Sequence, residues 1–197
     1  MRFRVSVPAD LDSIVDVVTT AFLDDPLWGP AFPDRTARPR QAAALWRLLA
    51  RSAQRYDWVW VTDAVEAAAL WIPPGGAELT PEEQDGLAAY LTEAAGPDVA
   101  AEVLAIFAAF EHAHPSEPHF YLSLLGTHAD HRGRGLGTAL LADGLARVDE
   151  QRRPVHLESC NPVNDPLYRR FGFEPSGTFV VPSGHVVTTM WRPGATS

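Results

Sequence analysis

The stretch His131-Arg132-Gly133-Arg134-Gly135-Leu136-Gly137-Thr138 constrains this chain more than any other segment. It lies between a strand-like run, His119–Thr127, and a helical stretch, Gly135–Glu150, so it reads as the turn from a strand into a helix. The first amides of a helix have no intrahelical partners, and the helix dipole puts partial positive charge there. Glycines at 133, 135 and 137 let the backbone curl and approach a ligand closely, while Arg132 and Arg134 add full positive charge. Together these make a cradle for a phosphate or pyrophosphate. The plainer alternative is a tight strand-to-helix turn that is merely basic.

Two other glycine-rich motifs fit less well. A dinucleotide fingerprint gains an acidic residue, Glu158, about 20 positions on. Its third glycine slot, however, holds Leu140 or Thr138, depending on where the count starts, and the chain lacks the six-strand alternation of a dinucleotide fold. A P-loop fails because no Gly-Lys-Ser/Thr follows.

The rest of the chain supplies the scaffold. Phe3–Val7 reads as a strand stopped by Pro8, and Asp10 as the N-cap of a helix with Leu11, Ile14, Val15, Val18 and Phe22 on one stripe. Asp24–Pro39 is proline-rich and reads as a loop, followed by a helix over Arg40–Arg55. Trp58–Thr62 and Val65–Ile72 predict a hairpin, and Pro73-Pro74-Gly75-Gly76 breaks the chain. Thr80–His112 predicts two helices split at Gly96-Pro97. After the basic turn come a strand at Val155–Ser159, a short helix at Asp165–Phe171, and a strand pair at Phe179–Pro182 and Val186–Trp191. Neither side of Pro73–Gly76 has a complete core by itself, so residues 1–197 are expected to form one domain.

Composition narrows the function classes. With 46% hydrophobic and 21% charged residues the chain has an ordinary globular composition. A net charge of −9 disfavours nucleic acid and anionic membrane as partners and mildly favours a cationic substrate. The single cysteine, Cys160, excludes an internal disulfide and a multi-cysteine metal cage. Met1-Arg2-Phe3-Arg4 leads into no signal-peptide core, and no apolar run approaches the roughly 20 residues that span a bilayer, so a cytoplasmic protein is expected.

Arg132-x-x-Gly135-x-Gly137 resembles the Arg/Gln-x-x-Gly-x-Gly/Ala signature of the GNAT superfamily of N-acetyltransferases. Leu125-Gly126-Thr127 sits where that family's bulged fourth strand pairs with pantetheine, and Asn161, Leu167-Tyr168 and Phe171-Gly172-Phe173 resemble its Asn…Leu-Tyr…x-Gly-Phe motif. Within the superfamily the chain looks most like the puromycin N-acetyltransferase branch. Ala21-Phe22-Leu23-Asp24-Asp25-Pro26, Trp58-Val59-Trp60-Val61, Leu157-Glu158-Ser159 and Tyr168–Phe173 carry that likeness, which is weakest between Gly75 and Glu117.

The resemblance implies an α/β (α+β) GNAT fold: a central mixed, mostly antiparallel twisted sheet flanked by helices and splayed between strands four and five. It implies acetyl-CoA as co-substrate and coenzyme A as product. The binding residues it implies are Leu125, Gly126, Thr127, Arg132, Gly133, Arg134, Gly135, Leu136, Gly137, Thr138, Asn161 and Tyr168. The expected activity is acetyl transfer to a primary amine of a small molecule. Two alternatives stay open: a catalytically idle acyl-CoA-binding module, and an acetyltransferase acting on protein lysines or N-termini.

By resemblance Tyr168 is the general acid that protonates the departing thiolate, although Leu167, Tyr168 and Phe171 share a helical stripe and would also pack as core. Glu158 ends a strand beside the cofactor gap, where it serves either as a base acting through water or as a hydrogen-bonding anchor. Tyr121 and Ser123, on one side of strand four, are weaker candidates for the base. Asn161 would bond pantetheine, yet Asn before Pro162 also starts turns. Asp25 and Trp28, in the proline-rich loop, are the substrate-side candidates. Cys160 with His156 makes no nameable triad, and His128 and His131 lack further ligands, so no metal is expected.

Overall fold

The computed structural model describes residues 2–195. Its elements run β1 (Phe3–Val5), α1 (Leu11–Phe22), α2 (Trp28–Ala31), α3 (Arg38–Ala53), β2 (Val59–Thr62), β3 (Ala67–Ile72), α4 (Pro81–Ala95) and α5 (Pro97–Ala113). They continue with β4 (Phe120–Thr127), α6 (Leu136–Glu150), β5 (Val155–Ser159), α7 (Asp165–Arg170), β6 (Glu174–Val180) and β7 (Val186–Arg192). The strands form one seven-stranded sheet in the order β1-β2-β3-β4-β5-β7-β6. Every neighbouring pair is antiparallel except β4–β5.

Period-two alternation decides which face each strand residue covers. Along β3, Ala68, Leu70 and Ile72 join one core with α1 to α5, and Ala67, Ala69 and Trp71 join a second core with α6. Both faces of this strand are buried, so it reads as a continuous apolar run rather than an alternating one. Leu140, Leu141, Leu145 and Val148 form the buried stripe of α6. Gly144 in that stripe is a close approach, since a Cβ there would lie 2.8 Å from the Trp71 ring. Helix α4 starts on a capping box in which Thr80 accepts from Glu83 N at 3.2 Å and Glu83 accepts from Thr80 N at 3.0 Å.

Four local expectations are corrected. Asp10 makes no side-chain cap to α1; its carboxylate is taken by Arg4 at 2.6 and 2.9 Å and by Val7 N at 2.8 Å. The proline-rich segment is not all loop, because Leu27, Trp28, Ala31 and Phe32 are apolar enough to bury themselves and fold α2, and α3 already begins at Arg38. Trp28 accordingly sits on α2 and in the core rather than on a loop: it is 4% exposed and packs edge-on against Trp46 at 5.0 Å. The last hairpin starts at Glu174, five residues before the predicted Phe179, because β7 recruits the polar segment Glu174–Thr178 through backbone pairing that no side-chain pattern announces.

One irregularity positions the site. The β3–β4 register steps from Leu70↔Leu124 to Trp71↔Leu122, leaving Ser123 as a bulge residue. On the other edge of β4 only Phe120↔Val155 and Tyr121↔His156 pair with β5. Beyond Tyr121 the strands part. Among the described residues no helix is long and apolar enough to cross a membrane.

Candidate active site

The parted strands enclose a cavity of about 760 Å³. Leu122–Thr127 of β4 form one wall, and Leu157, Glu158, Cys160 and Asn161 face them across the gap. The turn before α6 and the α5 aromatics Phe107 and Phe110 also line it. The backbone of β4 facing this gap has no strand partner past Tyr121, so it is free to pair with an extended, peptide-like ligand.

The basic turn has the geometry its glycines suggested. Gly133 (φ 75°) and Gly135 (φ 74°) occupy the left-handed region, and no atom lies within 4 Å of a Cβ built at either position. Helix α6 begins at Leu136, and the amides of Leu136, Gly137 and Thr138 form its open first turn. At Gly137 a Cβ would lie 2.9 Å from Thr127 Oγ1, so glycine is needed for β4 and α6 to approach this closely. The two arginines are used differently from one another. Arg132 lines the cavity but donates to the carbonyls of Thr20 (2.8 Å) and Ala21 (3.1 Å), tying the end of α1 to the turn. Arg134 is turned away from the cavity, onto Glu66 at 3.1 Å. Gly126 faces α1, where a Cβ would lie 3.0 Å from Ala21 Cβ, so its smallness serves packing.

A polar cluster sits where β4 and β5 separate. The Glu158 side chain is 3% exposed; it accepts from His156 Nε2 at 2.8 Å and lies 3.8 Å from His114 Nδ1. Burial alone would raise its pKa, but the hydrogen bonds and charge supplied by His114 and His156, with Tyr121, hold it at about 2. Glu158 is therefore a fixed anion. His114, His156 and Glu158 place ligand atoms within 4.8 Å of one another, a spacing a metal ion can bridge, though the direct His156–Glu158 bond already occupies the shared oxygen. His114 also meets His119, with Nε2 atoms 3.1 Å apart.

Glu78 stands opposite, in the segment between β3 and α4. The residue is half-buried, with its carboxyl turned inward to accept the Ser123 hydroxyl proton. Burial raises this carboxyl to about 7, and the Glu158 charge adds to the rise against the lowering effects of Ser123 and His114. Two carboxylates in one cleft thus have pKa values driven in opposite directions, the pattern expected of groups with different protonic roles. Tyr121, 7% exposed, is raised well above its ordinary range by burial and by both carboxylates.

Most remaining sequence candidates also line the cavity. Tyr168 on α7 lines it beside Leu167, and burial raises its phenol so that it stays protonated at neutral pH. Asn161 spends its Oδ1 on Val163 N at 3.2 Å, the turn-starting role. Asp25 accepts from Leu27 N (2.9 Å) and Trp28 N (3.2 Å), and burial raises its carboxyl. Trp28 reaches the cavity as part of its packed wall. Burial pushes the Cys160 thiol well above its ordinary range, which leaves it unreactive.

Glu78 and His114 were not foreseen from sequence. Both lie in the irregular or helical stretch between Gly75 and Glu117, where no periodicity or motif marks a functional side chain. The one local signal for Glu78 is the rigid Pro73-Pro74-Gly75-Gly76 turn that immediately precedes it.

Residues 86–175 match the sequence model of the acetyltransferase (GNAT) domain family. A Corynebacterium glutamicum structure, described as histone acetyltransferase HPA2 and related acetyltransferase, superposes with a TM-score of 0.73 at 28% identity, over 99% of this chain and 97% of that one. Arylalkylamine N-acetyltransferase 2 of Aedes aegypti matches at TM-score 0.68 and 15% identity, over 98% of each chain. A polyamine N-acetyltransferase of Drosophila melanogaster, which forms N-acetylagmatine, matches at TM-score 0.64 and 16% identity over 98% and 99%. The chain has the GNAT fold, and residues 86–175 are similar to the acetyltransferase (GNAT) domain family.

Proposed function

We propose that this protein transfers the acetyl group of acetyl-CoA to a primary amine of a small molecule. The observation that carries the reading is the β4–β5 gap: an unpaired strand edge running from Tyr121 to a glycine turn at a helix start, with Tyr168 lining the same cavity. An unpaired edge suits the two amides of pantetheine, and the open amides of Leu136–Thr138 suit a pyrophosphate. Leu125 and Thr127 would contribute backbone, Gly133, Gly135 and Gly137 room, and Arg132 charge near the same turn. Arg134, Gly126 and Asn161 support the site indirectly, through the contacts described above.

In the transfer Tyr168 would donate its hydroxyl proton to the leaving thiolate. Similarity to structures named for arylalkylamine and polyamine acetylation, and the likeness to the puromycin N-acetyltransferase branch, supports a small amine. The Corynebacterium relative's name is the argument for a protein acceptor instead. The aromatic lining of the gap, Trp28, Phe107 and Phe110, suits a small amine with an apolar body.

The test is thiol release from acetyl-CoA with 2-phenylethylamine, agmatine and puromycin, using wild type and Tyr168→Phe. Amine-dependent release that falls at least a hundredfold in the variant supports the reading. Tight acetyl-CoA binding with no release for any amine would favour an idle acyl-CoA-binding module.

A further inference from the structure

A second cavity, of about 990 Å³, opens on the other side of the β4–β5 branch point. Leu49, Glu78, Phe107, Phe110 and Tyr121 line both cavities. Glu158 borders only the first, and His114 only the second. The shared residues mark the boundary at which the two cavities adjoin. Only two of those five are ionisable, Glu78 and Tyr121. Along the second cavity Glu78, Glu111 and Glu117 face a single fixed cation, Arg153, amid prolines and phenylalanines.

We propose that the second cavity admits the acceptor, an ammonium on an apolar or aromatic body, and that Glu78 is the catalytic base that deprotonates it. This rests on the acetyl-transfer reading above and reassigns the base from Glu158. Glu158, fixed as an anion by His156, His114 and Tyr121, is a positioning residue that keeps the ammonium end of the acceptor at the junction. Glu78 takes one proton from the ammonium. The freed nitrogen lone pair forms the C–N bond to the thioester carbon as the C–S bond breaks with its electron pair on sulfur. Tyr168 protonates that thiolate and recovers the second nitrogen proton as the amide forms. Glu78 returns its proton to water through the second cavity, so one proton is released for each acetyl group moved.

Glu78 is suited to this because it is ionised about half the time near pH 7, whereas a carboxylate held at about 2 takes up almost no proton there. The groups facing it are the Ser123 hydroxyl and Tyr121 from β4, the Glu158 anion from β5 and His114 at the end of α5. Arg55, in the turn after α3, donates to its backbone carbonyl at 3.3 Å.

The experiment follows kcat/KM for 2-phenylethylamine from pH 5 to 9 at saturating acetyl-CoA, with acetyl-CoA affinity measured separately by calorimetry. Wild type should show an acid limb near pH 7. Glu78→Gln should lower kcat at least a hundredfold and abolish that limb while binding acetyl-CoA as wild type does. Ser123→Ala, which removes a hydrogen bond to the ionised carboxylate, should move the limb to higher pH. Glu111→Arg should raise KM for the amine several-fold without changing acetyl-CoA affinity. A Glu78→Gln enzyme with wild-type rate and pH profile overturns the assignment of the base, and an unchanged amine KM in Glu111→Arg overturns the route. Absence of amine-dependent thiol release in the wild type itself would instead sink the transferase reading, and this inference with it.

Discussion

Holding the Glu78 carboxyl at about 7 has a consequence for stability that activity measurements do not touch. An ordinary glutamate ionises near 4.5, so the fold favours the protonated form of Glu78. Stability from this preference is fully present below pH 4.5 and is lost as pH rises through about 7. Above that the buried charge costs ~3 kcal/mol, at about 1.4 kcal/mol for each pH unit between the two values. Glu78→Gln keeps the volume and can still accept from Ser123 but carries no charge to bury. Relative to wild type it should be nearly neutral at pH 5 and more stable by up to ~3 kcal/mol at pH 8, or about 6–12 °C in Tm for a chain of this size. Urea denaturation of both proteins at the two pH values measures this directly. A stability difference that does not change between pH 5 and pH 8 would refute the reasoning, because it would mean the carboxyl is hydrated or already paired with a cation.

Glu158→Gln should behave in the opposite sense. The fold holds this group below 4.5, so its contribution is present above that pH and fades as pH falls toward 2; the variant should lose roughly 3 kcal/mol at pH 7 by urea denaturation, with the deficit shrinking in acid. Gly137→Val should weaken acetyl-CoA binding at least tenfold by calorimetry while leaving the circular dichroism spectrum of the fold intact, because the new side chain meets Thr127 where the first turn of α6 opens. Glu83→Ala should lower stability by about 1–2 kcal/mol without changing acetyl-CoA affinity, since it removes the α4 capping box together with the contacts to Ser52 and Arg51.

The chemistry nearest the backbone was the most legible in the sequence. Gly133 and Gly135 announce left-handed turns, and the strand before and the helix after them follow from apolar periodicity, so the turn could be located without a structure. The places of Tyr168 on a short helix and Glu158 on a strand were legible for the same reason, since both elements have clear ends. The arginines show where such reading stops: residue type gave Arg132 and Arg134 the same role, and only the fold shows one pinned to α1 and the other to Glu66. The burial of Trp28 was hidden by the prolines at 26 and 30, because it is decided by Trp46, which is 18 residues away in sequence. Glu78 was invisible because its pKa and place come from β4, β5 and α5 converging on an irregular segment. The polar strand Glu174–Thr178 was missed because edge pairing through the backbone needs no apolar pattern.

The most direct test of the central claim, that acetyl-CoA occupies the gap between β4 and β5, is amide hydrogen exchange with and without acetyl-CoA. The account predicts new protection concentrated in Leu122–Thr127 and Arg132–Thr138, with little change in Pro73–Leu79 until an amine is added. Protection confined to Pro73–Leu79, or none in Leu122–Thr127 at saturating ligand, would contradict it.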